Sequence, residues 1–256
     1  MDALVMAGGK VSPEFTAATS AENRALVELA PGLTMLHFVL NALLEARSID
    51  RIFVIGDVAE NPAYTRVTPG GSLMDNIVLG VRAIGQQNGK RVLLVSSDIP
   101  FITGQAIDDF VTKADQLDAA FCYPIIPMEV YNTQFASMKR TTLRLREGEF
   151  TGGNVILADP SFLLQNEAAV RGAYAARKSV LKMGTLLGWG LLLRVILSRL
   201  ISPKLLCIAD LEAGVSRLLG NGAKARAVIT QFASLGTDVD KVEDVEIARK
   251  MLSTHG

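Results

Sequence analysis

The sequence predicts an α/β fold, a mostly parallel sheet flanked by helices, and three observations carry that prediction. Apolar runs too short for helices recur at Leu4–Met6, Arg51–Ile55 and Arg91–Val95, which is how strands buried on both faces read. Each run ends in turn chemistry, at Gly8-Gly9, at Gly56-Asp57 and at Ser97-Asp98-Ile99-Pro100, so ligand-binding loops are expected at the carboxyl ends of the strands. Between the runs lie helical patterns, the clearest being Thr34–Ala46 with Leu36, Val39, Leu40 and Leu43 on one face.

The composition fits such a domain. The 256 residues, 49% hydrophobic and 20% charged, suffice for one large domain with a well-buried core or for two small ones, and exclude a disordered chain. Lys plus Arg and Asp plus Glu number 26 each, so no global field draws the chain onto DNA, RNA or anionic lipid, and any polyanion it binds is small. Cys122 and Cys207 lie far apart without metal-ligand spacing, as in a reduced cytoplasmic protein with no disulfide. The start of the chain carries acidic Asp2 and enters a strand directly, so no secretory or organelle signal is expected there.

Taken in order, Met6-Ala7-Gly8-Gly9-Lys10 follows the first strand, and its glycines allow backbone N–H groups to approach phosphate or base with no side chain between. A tight turn is the alternative. Neither a Gly-x-Gly-x-x-Gly nor a Gly-Lys-Ser/Thr motif is present. Ser12–Asn23, small and polar, reads as a long loop. Pro69-Gly70-Gly71 leads to Ser72-Leu-Met-Asp75, which has capping-box spacing ahead of a helix through Ile84. That helix start is either a plain connection or a second backbone site for nucleobase or phosphate. Asp98, at the tip of the third strand and followed by Pro100, is placed for Mg²⁺, with a helix-entry role as the alternative. Thr103 caps a helix through Leu117, and Ala119–Tyr123 is a fourth strand.

The second half is less regular. Thr141–Glu147 alternates apolar and charged residues as a half-exposed strand, Glu147-Gly148 turns, and Asn154–Ala158 is a further strand entered through Thr151-Gly152-Gly153. These read as an antiparallel addition, with Gly152, Gly153 and Asn154 against an acceptor substrate or in a bulge. Leu181–Leu206 is the most apolar region, but its longest uncharged run, Met183–Leu193, falls short of the roughly 20 residues of a membrane span. Leu181–Ile201 is expected to be buried as a helix or helix pair against the core or in a homodimer interface. An apolar acceptor pocket or a peripheral membrane face is the other reading. A helix near Leu211–Leu219, a strand at Ala225–Ile229 and a closing amphipathic helix follow. Asp238 and Asp240 stand before the last of these, where acidic residues also suit a helix dipole.

The order of pieces is informative. Met6-Ala7-Gly8-Gly9, then Asn23-Arg24-Ala25-Leu26-Val27-Glu28-Leu29 with Pro31-Gly32-Leu33-Thr34, then Ser97-Asp98-Ile99-Pro100-Phe101, and finally Asp238-Val239-Asp240-Lys241-Val242-Glu243-Asp244 resembles the nucleotidyltransferases of the molybdenum-cofactor guanylyltransferase type. The resemblance spans residues 2 to about 252 and is weakest from 170 to 225. It implies a single domain with a Rossmann-like, GT-A-like sheet, its core at about 1–160 and 222–252 and a helical insertion at about 160–220. It implies a Mg²⁺-dependent transfer of an NMP moiety from an NTP, GTP or CTP, to a small phosphorylated acceptor. Nucleotide contacts then fall to Met6, Ala7, Gly8, Gly9, Lys10, Arg24, Gly70, Gly71, Ser72 and Asp98. The acceptor falls to Gly152, Gly153 and Asn154, catalysis to Arg24 and Asp98, and the metal to Asp98 and Asp240.

The chain departs from that family in two ways. The usual Gly-x-Gly-x-Arg-Met-Gly after the first strand is replaced by a longer segment whose cations are Lys10 and Arg24, and Arg24 stands where a phosphate-binding lysine is usual. The chemistry needs an acceptor in line with an α-phosphorus, a cation on phosphate oxygens and positive charge for the leaving pyrophosphate. A nucleotide-binding regulator without catalysis, and a glycosyltransferase on the same fold, are the competing readings.

Overall fold

The computed structural model describes residues 1–8, 11–85, 90–176 and 188–253. Gly9, Lys10 and the expected helix positions 181–187 lie outside them. The first half contains β1 (Asp2–Met6), α1 (Pro13–Thr19), β2 (Glu28–Ala30), β3 (Leu33–Thr34), α2 (Met35–Glu45), β4 (Arg51–Ile55) and β5 (Thr65–Val67). Then come α3 (Leu73–Ile84), β6 (Val92–Ser96), α4 (Gly104–Asp115), β7 (Phe121–Pro127) and α5 (Met128–Phe135). The second half adds β8 (Leu143–Leu145), β9 (Gly148–Gly152), β10 (Val155–Ala158), α6 (Pro160–Gln165), α7 (Glu167–Ala176), α8 (Trp189–Leu200), α9 (Ile208–Leu219), β11 (Ala225–Ile229) and α10 (Val242–Ser253).

Among the described residues, nine of these strands form one mixed sheet, and β2 and β3 pair separately. β1 lies between β4 and β6, parallel to both, with Met6 opposite Ile55 and Ser96. The carboxyl ends of the three apolar runs therefore share one edge, as their turn chemistry predicts. β10 is antiparallel to β6, β10 and β9 pair with the start and end of β7, and β11 runs parallel to β7. The antiparallel addition is thus inserted within the sheet, and β11 closes it from far down the chain.

One face of the sheet buries Ala3, Val5, Val54, Leu93 and Val95 against α2 and α4, with Phe110 fully enclosed. The other buries Leu4, Phe53, Ile55 and Leu94 against α3 and the helices that follow β10. Helix starts follow their caps. Thr34 accepts from His37 N, Ser72 from Asp75 N and Thr103 from Ala106 N, each satisfying an otherwise orphaned first-turn donor.

The structure corrects the sequence reading in four places. Ser12–Asn23 is no long loop: Ser12 caps α1, Pro13 starts it and Phe15 is buried. One apolar anchor in seven residues is too little for a periodic signal. The strand expected at Ala119–Tyr123 runs on to Pro127. The strand expected at Thr141–Glu147 shortens to Leu143–Leu145, and Gly148–Gly152, expected as turn and entry, is itself a strand. In the apolar region, α8 buries Leu191 and Ser198 while Trp189, Leu193, Leu200 and Ile201 are 56, 55, 77 and 71% exposed, so the expected burial of Leu181–Ile201 fails over its described part. The cause is geometric, because one helical face reaches the core and this helix is apolar nearly all round.

Gly80 of α3 abuts β1, where an added Cβ would come within 2.3 Å of the Leu4 side chain. Leu4 is fully buried and has no room to withdraw. Gly80→Ala is expected to lower unfolding free energy by about 1–3 kcal/mol through overpacking, despite alanine's better helix propensity. Urea titration followed by circular dichroism measures it, and a stabilised variant would show that Leu4 can repack.

Candidate functional site

Asn23 organises the approach to the strand ends. Its Nδ2 donates to Ala7 O at 2.8 Å and to Asp57 O at 3.3 Å, while its Oδ1 accepts from Ala25 N at 3.0 Å. The exits of β1 and β4 and the short 3₁₀ turn Arg24–Leu26 are thereby fixed to one another. Arg24 projects from that turn, with its guanidinium 6.0 Å from the centroid of Phe15. The unexpected helix α1 therefore supplies an aromatic support for the cation.

Arg24 Nη1 donates to Asp98 Oδ2 at 2.9 Å and to Asp240 Oδ1 at 2.5 Å. Asp98 also accepts from Ser96 Oγ at 2.5 Å. Asp98, Asp238 and Asp240 each offer a carboxylate oxygen within 4.8 Å of the others. Their proximity is a backbone matter: Val239 N donates to Asp98 O at 2.8 Å, Asn154 N to Leu235 O at 2.7 Å and Ser96 N to Asn154 O at 3.1 Å. The segment before α10 is laid across the ends of β6 and β10, and the alternation of extended chain turns Asp238 and Asp240 the same way. Three carboxylates so close repel by about 4 kcal/mol per pair at 4 Å in an effective dielectric of about 20, less at half-exposed Asp240. Arg24 offsets this from one side and Arg140, paired with Asp238, from the other.

A hard divalent cation suits this all-oxygen donor set. The expected ligands Asp98 and Asp240 are together, and Asp238 joins them. Sequence reasoning assigned Asp238 only a helix-entry role, although the Asp-x-Asp spacing was a usable signal. Arg140 left no signal, since it lies in a stretch without period or motif.

The two glycine loops meet in a second cleft. Gly8, Glu22, Asn23, Asp57, Gly70, Gly71, Ser72 and Asn76 line a cavity of about 570 Å³. Asn76, buried on α3, accepts from Gly70 N at 2.7 Å and shapes that loop. Ser72 Oγ donates to Asp75 Oδ2 at 2.7 Å, and this bond, with a second from Arg171, holds the Asp75 carboxyl below its ordinary pKa. A carboxylate, ion-paired with Arg171, thus already occupies the start of α3. Ala7 is fully buried and Met6 half-buried, so of the first loop's described residues Gly8 borders the cavity.

Gly152 and Gly153 make room for protein rather than leaving open space. A Cβ at Gly152 would meet Tyr123 Oη at 2.3 Å, and one at Gly153 would meet Pro124 Cγ at 2.6 Å and Leu235 O at 3.0 Å. Gly152 O accepts from Arg140 at 3.3 Å. Asn154 differs, because its Nδ2 is buried without a hydrogen-bond partner, an unsatisfied donor beside the carboxylates' supporting backbone.

Comparison with known proteins bears on the family and the fold. The family description that matches, over residues 3–185, is the MobA-like NTP transferase domain. A structure titled a hypothetical transferase from Thermus thermophilus is similar at 34% identity and TM-score 0.80, over 95% of this chain and 98% of that one. A CMP:2-keto-3-deoxy-manno-octonic acid synthetase complexed with CTP shares the fold at 12% identity and TM-score 0.60, over 100% of both chains. So does a 2-C-methyl-D-erythritol 4-phosphate cytidylyltransferase, also from Thermus thermophilus, at 13% identity and TM-score 0.53, over 99% of this chain and 98% of that one. No curated protein matches the chain in sequence.

Because Arg24 lies between Asp98 and Asp240, it competes with any divalent cation for the same oxygens. Arg24→Met is expected to bind Mn²⁺ at least about fivefold more tightly without nucleotide, about 1 kcal/mol. The paramagnetic resonance signal of free Mn²⁺ reports this directly. Equal or weaker affinity would show that the carboxylates and the cation do not share a site.

Proposed function

The chain belongs to the MobA-like NTP transferase domain family, and on that premise we propose that it is a Mg²⁺-dependent nucleotidyltransferase. In this reading it acts as a single domain and joins the NMP moiety of an NTP, GTP or CTP, to a small phosphorylated metabolite, releasing pyrophosphate. The observation that carries the reading is Arg24 Nη1 shared between Asp98 and Asp240 at the edge of the sheet. It is a cation and an acidic pair in one place, and transfer between two polyanions needs both.

The roles follow from the donors available. Asp98 and Asp240, with Asp238 adjoining, hold the divalent cation, which neutralises phosphate oxygens and polarises the α-phosphorus when bound. Arg24 exchanges its carboxylate partners for phosphate oxygens when the triphosphate enters, and an arginine can make those contacts bidentately. The cavity between Gly8 and Gly70-Gly71-Ser72 receives the base through backbone groups. Asn154 Nδ2, unpartnered in the protein, donates to the acceptor, beside Gly152 and Gly153. No side chain acts as a covalent nucleophile, since the acceptor's own oxygen attacks the α-phosphorus and pyrophosphate departs with the bonding pair.

The reading is tested by pyrophosphate release from each NTP over a panel of phosphorylated acceptors with Mg²⁺. In the reactive pair, Asp98→Asn is expected to lower kcat/KM by at least about 100-fold, the equivalent of about 3 kcal/mol of lost charge stabilisation. Arg24→Ala is expected to raise the KM for NTP and, by leaving Asp98 and Asp240 without their counter-ion, to lower the thermal unfolding midpoint when no divalent cation is present. Full metal-dependent turnover in Asp98→Asn would overturn the mechanism. Tight NTP binding with no turnover across the panel would overturn the assignment as an enzyme.

A further inference from the structure

The exposed face of α8 takes no part in the chemistry above. Trp189, Leu193, Ile196 and Leu200 recur at helical spacing and form one apolar stripe, each at least 40% exposed. The opposite face carries Leu191 and Val195, which pack with Leu145, Phe150 and Leu206. At about 100° per residue, Arg194 and Arg199 flank the stripe on its two sides. Past the helix end the apolar surface continues through Ile201 and Leu205, with Lys204 exposed between them. A stripe of this kind in water is an unsatisfied surface.

The charge around it identifies the partner. Between Glu167 and Asp210 the sequence contains seven Lys or Arg and no Asp or Glu, in a protein whose overall formal charge is +0; Arg194, Arg199 and Lys204 are the ones described on or next to α8, and Arg177, Lys178 and Lys182 lie outside the described residues. Arg171 and Arg194 have carboxylate partners in the fold, while Arg199 and Lys204 are exposed beside the stripe. A second copy of the chain fits poorly, because an isologous pairing would bring the same cationic flanks face to face. An anionic bilayer fits both properties. Apolar side chains enter the headgroup and acyl boundary, a tryptophan anchors at that depth, and arginines remain at the phosphate level.

A second feature lies behind the helix. A cavity of about 450 Å³ is walled by Leu143, Leu145, Phe150, Ile208 and Leu211, several of which also pack against the inner face of α8. Its lining also reaches Gly152, whose carbonyl is bonded to the Arg140 that pairs with Asp238. This apolar space lies between α9 and the sheet, beside the residues on which α8 packs.

We propose that α8 is an interfacial helix that seats the protein on an anionic lipid bilayer through Trp189, Leu193, Ile196 and Leu200. The proposal does not depend on the catalytic reading. The chain has one tryptophan, so its emission reports the stripe without labelling. The test adds vesicles of mixed phosphatidylglycerol and phosphatidylcholine, or of phosphatidylcholine alone, to the 256-residue protein at physiological salt, with flotation in parallel. Trp189 emission is expected to shift to the blue, and the protein to float, with the anionic vesicles. Leu193→Glu/Leu200→Glu, at exposed positions that leave the fold intact by circular dichroism, is expected to reduce partitioning by about tenfold or more. Absence of both shift and flotation with anionic vesicles would overturn the proposal, as would undiminished partitioning of the double variant. Sedimentation showing a dimer that the double variant splits would also overturn it, assigning the stripe to a second copy.

Discussion

The arrangement depends on backbone packing between two segments far apart in the chain. Residues 235–239 lie against the ends of β6 and β10, held by Asn154 N to Leu235 O and by Val239 N to Asp98 O. The approach is possible because the facing positions lack side chains. A Cβ at Gly236 would stand 2.9 Å from Gly152 O, and one at Gly153 3.0 Å from Leu235 O. Any larger residue would lever the segment away and carry Asp238 and Asp240 from Asp98. The glycines that look from sequence like a ligand cradle thus serve first to let two pieces of chain touch.

This constraint explains what was legible in the sequence and what was not. The central parallel strands could be read directly, because β1, β4 and β6 are buried on both faces and give unbroken apolar runs, whereas the three-residue edge strand β5, in a stretch that reads as irregular, could not. The caps at Thr34, Ser72 and Thr103 fell at their expected positions for the same local reason. Local signals weaken where a residue's role is assigned from elsewhere. Gly148–Gly152 is a strand because β7 and β8 offer it partners, with nothing in its own composition to say so. α1 is held by a cap and by Phe15, a single contact with no periodic pattern. In the site, Asp98 and Arg24 were legible from position, whereas Arg140 became visible only through its pairing with Asp238.

The apolar region shows the opposite failure, a strong local signal read in the wrong context. Hydrophobicity alone suggested burial for Leu181–Ile201, yet in α8 the sheet offers cover to the face of Leu191 and Val195 and leaves the stripe of Leu193 and Leu200 outside. Hydropathy specifies that a surface is to be removed from water. It does not specify whether the remover is the chain's own core, a copy of the chain or a lipid. The one-sided charge of the surrounding sequence carries that information, and a count over the whole chain conceals it because the two signs cancel at 26 each.

The same reasoning applies at the acidic site, where the carboxylates Asp98, Asp238 and Asp240 would be costly neighbours without positive charge. Two arginines supply it, and they differ in what they can afterwards do. Arg140 is fastened to both Asp238 and the Gly152 carbonyl, so it is part of the frame. Arg24 stands on a short turn over an aromatic ring, is about one-third exposed, and bonds the two carboxylates through the single nitrogen Nη1. Its other terminal nitrogen is not needed for those bonds. A guanidinium held in that way neutralises the site while it is empty of other charge, and it retains a donor with which to meet an incoming anion before the carboxylates are released. A lysine ammonium has three donors, but all on one nitrogen, so an incoming anion would crowd onto the atom that already serves both carboxylates. The arginine at this position therefore has a physical rationale of its own, as a counter-ion that bonds both carboxylates through one nitrogen and keeps a second terminal nitrogen free of them.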